Sequence, residues 1–360
     1  MDRKVAITLA CLLAGPFVTE LGFRLFERPL GVDAKELHDF RRILLDGTLP
    51  QYEPRAHVVF ARPRNVPRYN SEGFSDVEWT VARTPGVPRI LCVGASTTEG
   101  GNPEGREARY PTQLERLLER RTGRDFEVMS AGVAGWTTAE MLVSWFLTLQ
   151  DYAPDVVVLH EAIADVHPRL RKDFRPDYSH WRIPLTPPPT NSLTRVLARW
   201  SDLYLYRRLR RDGVPDIAGL TTSVPRGTDP LTREGRLSAE TARPFVRNLD
   251  SIGSSARAQG ATVVLMSLPT KPHHDPLQAF WDYGVAENNR NMGTLAAEKG
   301  YVFVDAAAYF AEHAELVNPQ FRDYVHLTGK GNQIKAELVA DALEREWLPK
   351  LSPDGARPPR

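Results

Sequence analysis

Arg89-Ile90-Leu91-Cys92-Val93-Gly94-Ala95-Ser96-Thr97-Thr98-Glu99-Gly100 is the stretch whose reading decides the fold. Ile90 to Val93 is a short apolar run of the kind that forms a buried strand. It ends in a glycine, and a serine follows two residues later. Two threonines and the Gly100-Gly101 pair then interrupt regular structure. A serine just past the C-terminal end of a buried strand lies where open α/β sheets bind ligands, which makes Ser96 a candidate nucleophile. Spacing argues against three other loops. A phosphate-binding G-x-x-x-x-G-K-[ST] loop needs closer glycines and a lysine, a dinucleotide loop needs glycine at position 96, and a G-x-S-x-G elbow needs glycine at 98, which is Thr98.

Outward from this stretch, strands and helices alternate. Tyr110 to Arg121 has the apolar spacing of an amphipathic helix, with Gly123 at its end. Phe126 to Met129 reads as a strand, followed by a loop Ser130 to Gly135. Thr137 or Thr138 caps a helix to about Leu149, and Asp155 to Leu159 is a third strand. After a break, a helix over Ser238 to Gln259 leads to a strand Thr262 to Met266. Leu277 to Lys299 is a further helix, Tyr301 to Val304 a strand, and Leu327 to Leu348 holds the last helix. This alternation implies a three-layer αβα sandwich around a parallel sheet of about five strands.

The flanking regions differ. Arg3 and Lys4 precede an apolar run from Val5 to Val18, interrupted by Glu20 and Arg24. The run is short for a membrane span and fits a signal-peptide core, but no clean A-x-A cleavage site follows. Residues 1–26 are therefore expected to be a signal peptide or a signal anchor. Residues 27–87 read as a Pro- and Arg-rich connector over the domain surface, in which Arg68 to Phe74 has aromatics to pack inward. An insertion at about 169–236 contains a basic amphipathic helix, Leu193 to Arg211, suited to a lid, to an anionic surface or to a solvated face. Residues 351–360 are expected to be a disordered tail, and 88–350 the main domain.

The chain of 360 residues is 42% hydrophobic and carries a net charge of +1, which gives no bulk field for nucleic acid. Two cysteines, Cys11 and Cys92, make no disulfide framework. Neither His160-Glu161 with His167 nor His273-His274-Asp275 has the spacing of a metal site, so no metal and no cofactor are expected.

A serine nucleophile needs a base. Asp323-Tyr324-Val325-His326 puts a carboxylate and an imidazole three residues apart on one loop, where the carboxylate fixes the ring tautomer and leaves the other nitrogen for the serine proton. With these residues in place the chain resembles the SGNH (GDSL-type) hydrolase superfamily. Gly94 to Gly100 matches its first block, Ser130-Ala131-Gly132-Val133-Ala134-Gly135 its second, and Asp323, His326, Leu327, Thr328, Gly331 and Asn332 its fifth. The resemblance covers about residues 86 to 347. It implies an SGNH/flavodoxin-like fold, a catalytic Ser96, Asp323 and His326, and an oxyanion hole from the N–H groups of Ser96 and Gly132. The third block, G-x-N-D in the family, is here Ala162-Ile163-Ala164-Asp165. Alanine at 164 removes an amide that normally donates to the oxyanion, a loss of about 10²–10³ in rate in serine hydrolases. Ala164 and Ser130 thus mark the substrate site, with the hydroxyls of Ser130 and Thr97 or the ring of His160 as substitute donors.

The expected function is an exported or membrane-anchored serine esterase acting on short acyl esters, lipids or O-acetylated glycans. Its expected partners are that small-molecule, glycan or lipid ester and a membrane through the N-terminal segment; the oligomeric state stays open. Two alternatives remain: an O-acyltransferase using the same triad on an envelope polysaccharide, and a catalytically silent domain that binds a glycan or partner.

Overall fold

The computed structural model describes residues 3–26, 34–46, 52–55, 57–64, 66–100, 104–171, 174–182, 191–212, 237–272 and 279–351. In chain order the elements used below are α1 (Arg3–Phe26), α2 (Ala34–Asp46), β1 (Arg89–Gly94), α3 (Ser96–Glu99), α4 (Tyr110–Thr122), β2 (Glu127–Gly132), α5 (Thr138–Leu147), β3 (Val156–His160), α6 (Val166–Arg169), α7 (Ser192–Trp200), α8 (Asp202–Asp212), α9 (Ala239–Ala258), β4 (Thr262–Met266), α10 (Ala279–Lys299), β5 (Val302–Val304), α11 (Ala306–Glu312), α12 (Ala314–Val317) and α13 (Gly329–Glu346).

The chain divides into two compact units. One is Met1–Phe60 with Ile183–Thr221, and the other is Ala61–Arg182 with Thr222–Arg360. This differs from the expected boundaries in two ways. The segment from residue 61 to 87 belongs to the larger unit, and part of the insertion joins the N-terminal residues. The reason lies in burial: Arg62, Asn70, Phe74 and Ser75 are all buried, and the Phe74 ring stacks on Trp79 with centroids 4.9 Å apart. The burial of Phe74 is the inward packing expected of Arg68 to Phe74, while that of Arg62 lies outside that stretch.

In the larger unit the five strands are all parallel, in the order β2-β1-β3-β4-β5. Both faces are covered, which is why the strands are apolar without alternation. Ile90, Cys92, Val156, Val158, Val264 and Met266 turn to one face and pack with Leu114 and Leu118 of α4 and Val339 and Leu343 of α13. Their neighbours in sequence, Leu91, Val93, Val157 and Leu265, are buried on the other, against which α5, α9 and α10 pack. The Cys92 thiol is free and buried, and burial pushes its pKa up to about 12, so it is no nucleophile at neutral pH. The chain leaves β1 for β2 on one side and returns to β3 on the other. The strand order therefore reverses between β1 and β3, where open α/β sheets place their sites.

The smaller unit has its own core of Phe23, Leu37, Phe40, Leu44, Ala198, Leu205 and Leu209. The single helix expected over Leu193 to Arg211 is two helices, α7 and α8, separated at Ser201. Ser201 is extended (φ −118°, ψ 113°), and its hydroxyl accepts from the Tyr204 N–H at 3.0 Å. A Ser-Asp pair there caps a new helix rather than continuing the old one. The tail expected to be frayed lies, beyond Leu351, outside the described residues, as does the His273-His274-Asp275 string.

Candidate active site

The loop that carries Asp323 and His326 is closed by an antiparallel bridge between Phe321 and Leu327. Those two side chains pack with Phe310, Val317 and Ile334, anchoring the loop to α11, α12 and α13. Thr328 caps α13, accepting from the Gly331 N–H at 3.2 Å. Asp323 folds back on its own turn: Oδ1 accepts the N–H groups of His326 (2.8 Å) and Val325 (3.0 Å). Its Oδ2 lies 2.7 Å from His326 Nδ1. Partial burial would raise the Asp323 pKa, but the His326 ring and these amides outweigh it and hold the carboxyl at about 2. The opposite ring nitrogen, His326 Nε2, is 2.8 Å from Ser96 Oγ, across 230 residues of sequence. With the carboxylate accepting from Nδ1, Nε2 is left as the acceptor for the serine proton.

Ser96 opens α3, so its backbone N–H is one of the unpaired donors of a first helical turn. Two glycines let this turn sit on the sheet. A Cβ on Gly94 would fall 2.2 Å from Thr98 Oγ1 and 2.5 Å from the His160 carbonyl. One on Gly132 would fall 2.1 Å from the Glu99 nitrogen. Gly132→Ala is therefore expected to displace α3, lowering stability by roughly 1–3 kcal/mol and reducing turnover along with it. Thermal unfolding and steady-state rates on an acetyl ester check both.

That steric role replaces the one expected for Gly132. Strand β2 runs to Gly132, beyond the predicted Met129, and its N–H groups alternate. Val133 N–H reaches inward to the Gly94 carbonyl at 3.2 Å. Those of Val128 and Ser130 face the outer edge, where Glu115 and Asp76 accept them. Gly132 has their parity, so its N–H faces that edge and not Ser96. Ser130 is also committed, its hydroxyl donating to the Thr98 carbonyl at 3.3 Å. Ala164 brings no side-chain donor, and its N–H goes to Glu161 Oε1. Of the three expected substitute donors, the Thr97 hydroxyl is buried without a hydrogen-bond partner, while Ser130 and, as described below, His160 are engaged elsewhere.

The model of the GDSL-like lipase/acylhydrolase family matches residues 92–334, well over half the chain. The chain belongs to this family. It is thus an ester hydrolase of the SGNH type. Curated protein sequences give no match. Solved structures that are similar include a mutant of Axe2, an acetyl-xylooligosaccharide esterase from Geobacillus stearothermophilus, at 17% identity and TM-score 0.46, covering 72% of this chain and 95% of that one. Another is a lipase/acylhydrolase from Enterococcus faecalis, at 14% identity and TM-score 0.44, covering 74% and 100%. A third is LAE5, an alpha/beta hydrolase enzyme from the metagenome of Lake Arreo, at 16% and 0.44, covering 71% and 95%.

Behind the Ser96 turn of this GDSL-like hydrolase lies a buried polar line that its short motifs do not announce. Lys335, on α13, is 1% exposed. Its Nζ donates to the Thr97 carbonyl at 3.0 Å and lies 3.1 Å from His160 Nε2, while His160 Nδ1 lies 3.1 Å from the Met266 carbonyl. The pattern fits an Nδ1–H tautomer whose Nε2 accepts from the lysine. Burial lowers the Lys335 pKa to about 7. Between there and its unfolded value near 10.5, the unfolded chain binds a proton that the folded one does not, so stability rises with pH across that window. Lys335→Met is expected to flatten this rise, read as the difference in urea unfolding between pH 7 and pH 10.

Two acids after β3 are structural in the same sense. Burial, then the nearby Asp165 charge, raises Glu161 to about 8. Its Oε1 accepts from Ala162 and Ala164 N–H, shaping the altered third block. Asp165, raised by burial to about 6, accepts from the Thr138 N–H and hydroxyl and from the Tyr178 hydroxyl. It ties the start of α5 to the loop holding Tyr178. Among the described residues no group of three or more His, Cys, Asp or Glu is placed to hold a metal ion.

Proposed function

We propose that the protein hydrolyses acyl or acetyl esters through a Ser96-His326-Asp323 triad, outside the cytoplasm. The single observation that carries the reading is the continuous hydrogen-bonded line from Asp323 through His326 to Ser96 Oγ. His326 Nε2 takes the Ser96 proton as Oγ attacks the ester carbonyl carbon. The tetrahedral oxyanion forms at the N-terminus of α3, where the Ser96 N–H stabilises it. As the intermediate collapses, His326 returns the proton to the departing alcohol and the acyl group stays on Ser96. A water, deprotonated by His326, then releases the acid. With alanine at 164 the hole has fewer donors than the family pattern, so a modest kcat is expected.

Export rests on the basic-then-apolar start of the chain. The decisive experiment is turnover of an acetyl ester by the parent and by Ser96→Ala, with product analysis in the presence of a polysaccharide acceptor. Free acid as the product supports hydrolysis. Acylated acceptor would move the assignment to transfer, and equal turnover by both chains would remove it.

A further inference from the structure

We propose that the helical unit Met1–Phe60 with Ile183–Thr221 docks in the plane of an anionic lipid bilayer, through the exposed apolar rows of α1 and α7. The unit already has a core, so its remaining large apolar groups are surplus to folding. On α1, Phe17, Leu21 and Leu25 share one face. On α7, Leu193, Val196 and Trp200 share another. All six are between 55 and 78% exposed, whereas Phe23 and Ala198, on the opposite faces of the same helices, are in the core. Exposed apolar rows on two helices of one small unit are far more than scattered surface residues.

Polar braces tie α1 to the end of α7 and the start of α8. Glu20 on α1 accepts from the Ser201 hydroxyl (2.7 Å), the Asp202 N–H (2.7 Å) and the Leu203 N–H (3.2 Å), capping α8. Arg24 Nη2 donates to the Trp200 carbonyl at 2.9 Å. A chain cut near residue 26 would lose Glu20, Phe23 and Arg24 and leave the first turn of α8 uncapped. Glu20 and Phe23 of α1 thus have structural roles within the unit.

Charge selects the occupant. Arg199, Arg207 and Arg210 are exposed on α7 and α8, while Asp202 is itself paired with Arg41 and Arg24. Two copies meeting face to face would oppose these arginines to one another, whereas an anionic headgroup layer neutralises them. Among the described residues no helix is long and apolar enough to cross a membrane. The geometry is that of helices lying in the interface, with Trp and Leu below and Arg at the rim.

The test uses the full chain and is independent of the ester chemistry. It is sedimented with vesicles of phosphatidylcholine, with and without phosphatidylglycerol. Pelleting with the anionic vesicles, weakened by salt, is expected. The triple variant Leu193→Ser, Val196→Ser, Trp200→Ser is expected to lose at least about tenfold in binding, and Arg199→Gln with Arg207→Gln about fivefold per charge. All five positions are exposed, so circular dichroism unchanged from the parent confirms that the fold survives. No pelleting of the parent, or equal pelleting of the triple variant, overturns the proposal. So does a parent dimer in light scattering that the triple variant dissociates, which would give the face to a second copy.

Discussion

Ser96→Ala is expected to lower kcat on an acetyl ester by about 10⁴–10⁶-fold while leaving the melting temperature within a degree or two of the parent. The hydroxyl is lost from a half-buried position at a helix start, so little packing goes with it. His326→Ala should cost a similar factor, and the double variant hardly more, because nucleophile and base act as one unit. Asp323→Asn should cost less than either, about 10⁴. The Asp323 side chain is 56% exposed, so water can partly stand in for it at the ring. The pH profile separates the roles further. With its carboxyl held at about 2, Asp323 stays ionised throughout the range in which an esterase is assayed, so the acid limb of the rate profile does not report its protonation. Its depressed pKa supports the fold above the ordinary carboxylate range, and that support is lost only as pH falls toward 2. Turnover by Ser96→Ala equal to the parent's would refute the triad.

Much of this was legible because each piece is short and local. Ile90 to Val93 reads as a buried strand from four residues, and Asp323 to His326 fits on one turn. The five strands of the parallel sheet fall where their apolar runs are. What was not legible depends on partners distant in sequence. Nothing in the string around Lys335 says that a lysine there is buried beneath Thr97, and nothing around Arg62 says that it leaves the surface. The parity of β2 was missed for a different reason. Its last residues, Ser130 to Gly132, are small and carry no strand propensity, yet the Gly94 ladder and the close approach of α3 draw them into the sheet. The break at Ser201 did have a signal, a Ser-Asp pair, which the basic periodicity on both sides overrode.

The second large effect is expected at Arg62, far from the serine in sequence. Its Nε and Nη2 donate to both carboxylate oxygens of Glu99, at 2.9 and 2.8 Å, with the side chains 6 and 1% exposed. Glu99 closes the turn that Ser96 opens, and its Oε2 also accepts the Ala134 N–H at 2.8 Å. One buried pair thus fixes α3, which Ser96 opens, against the loop after β2. Arg62→Met leaves the Glu99 carboxylate buried without the cation that hydrogen-bonds both its oxygens, a loss of about 3–5 kcal/mol. In a unit of this size that lowers the melting temperature by roughly 6–20 °C, with a fall in kcat as α3 loosens. The double variant Arg62→Met, Glu99→Leu discriminates between mechanisms. Removing both charges relieves the uncompensated ion, so part of the stability should return. The Ala134 N–H would still lack its acceptor, so the loop after β2 would stay unclamped and kcat should remain low. Thermal unfolding and kcat measured on the same two variants decide it. Recovery of kcat in step with stability would mean that the pair only holds the fold together and does not position Ser96.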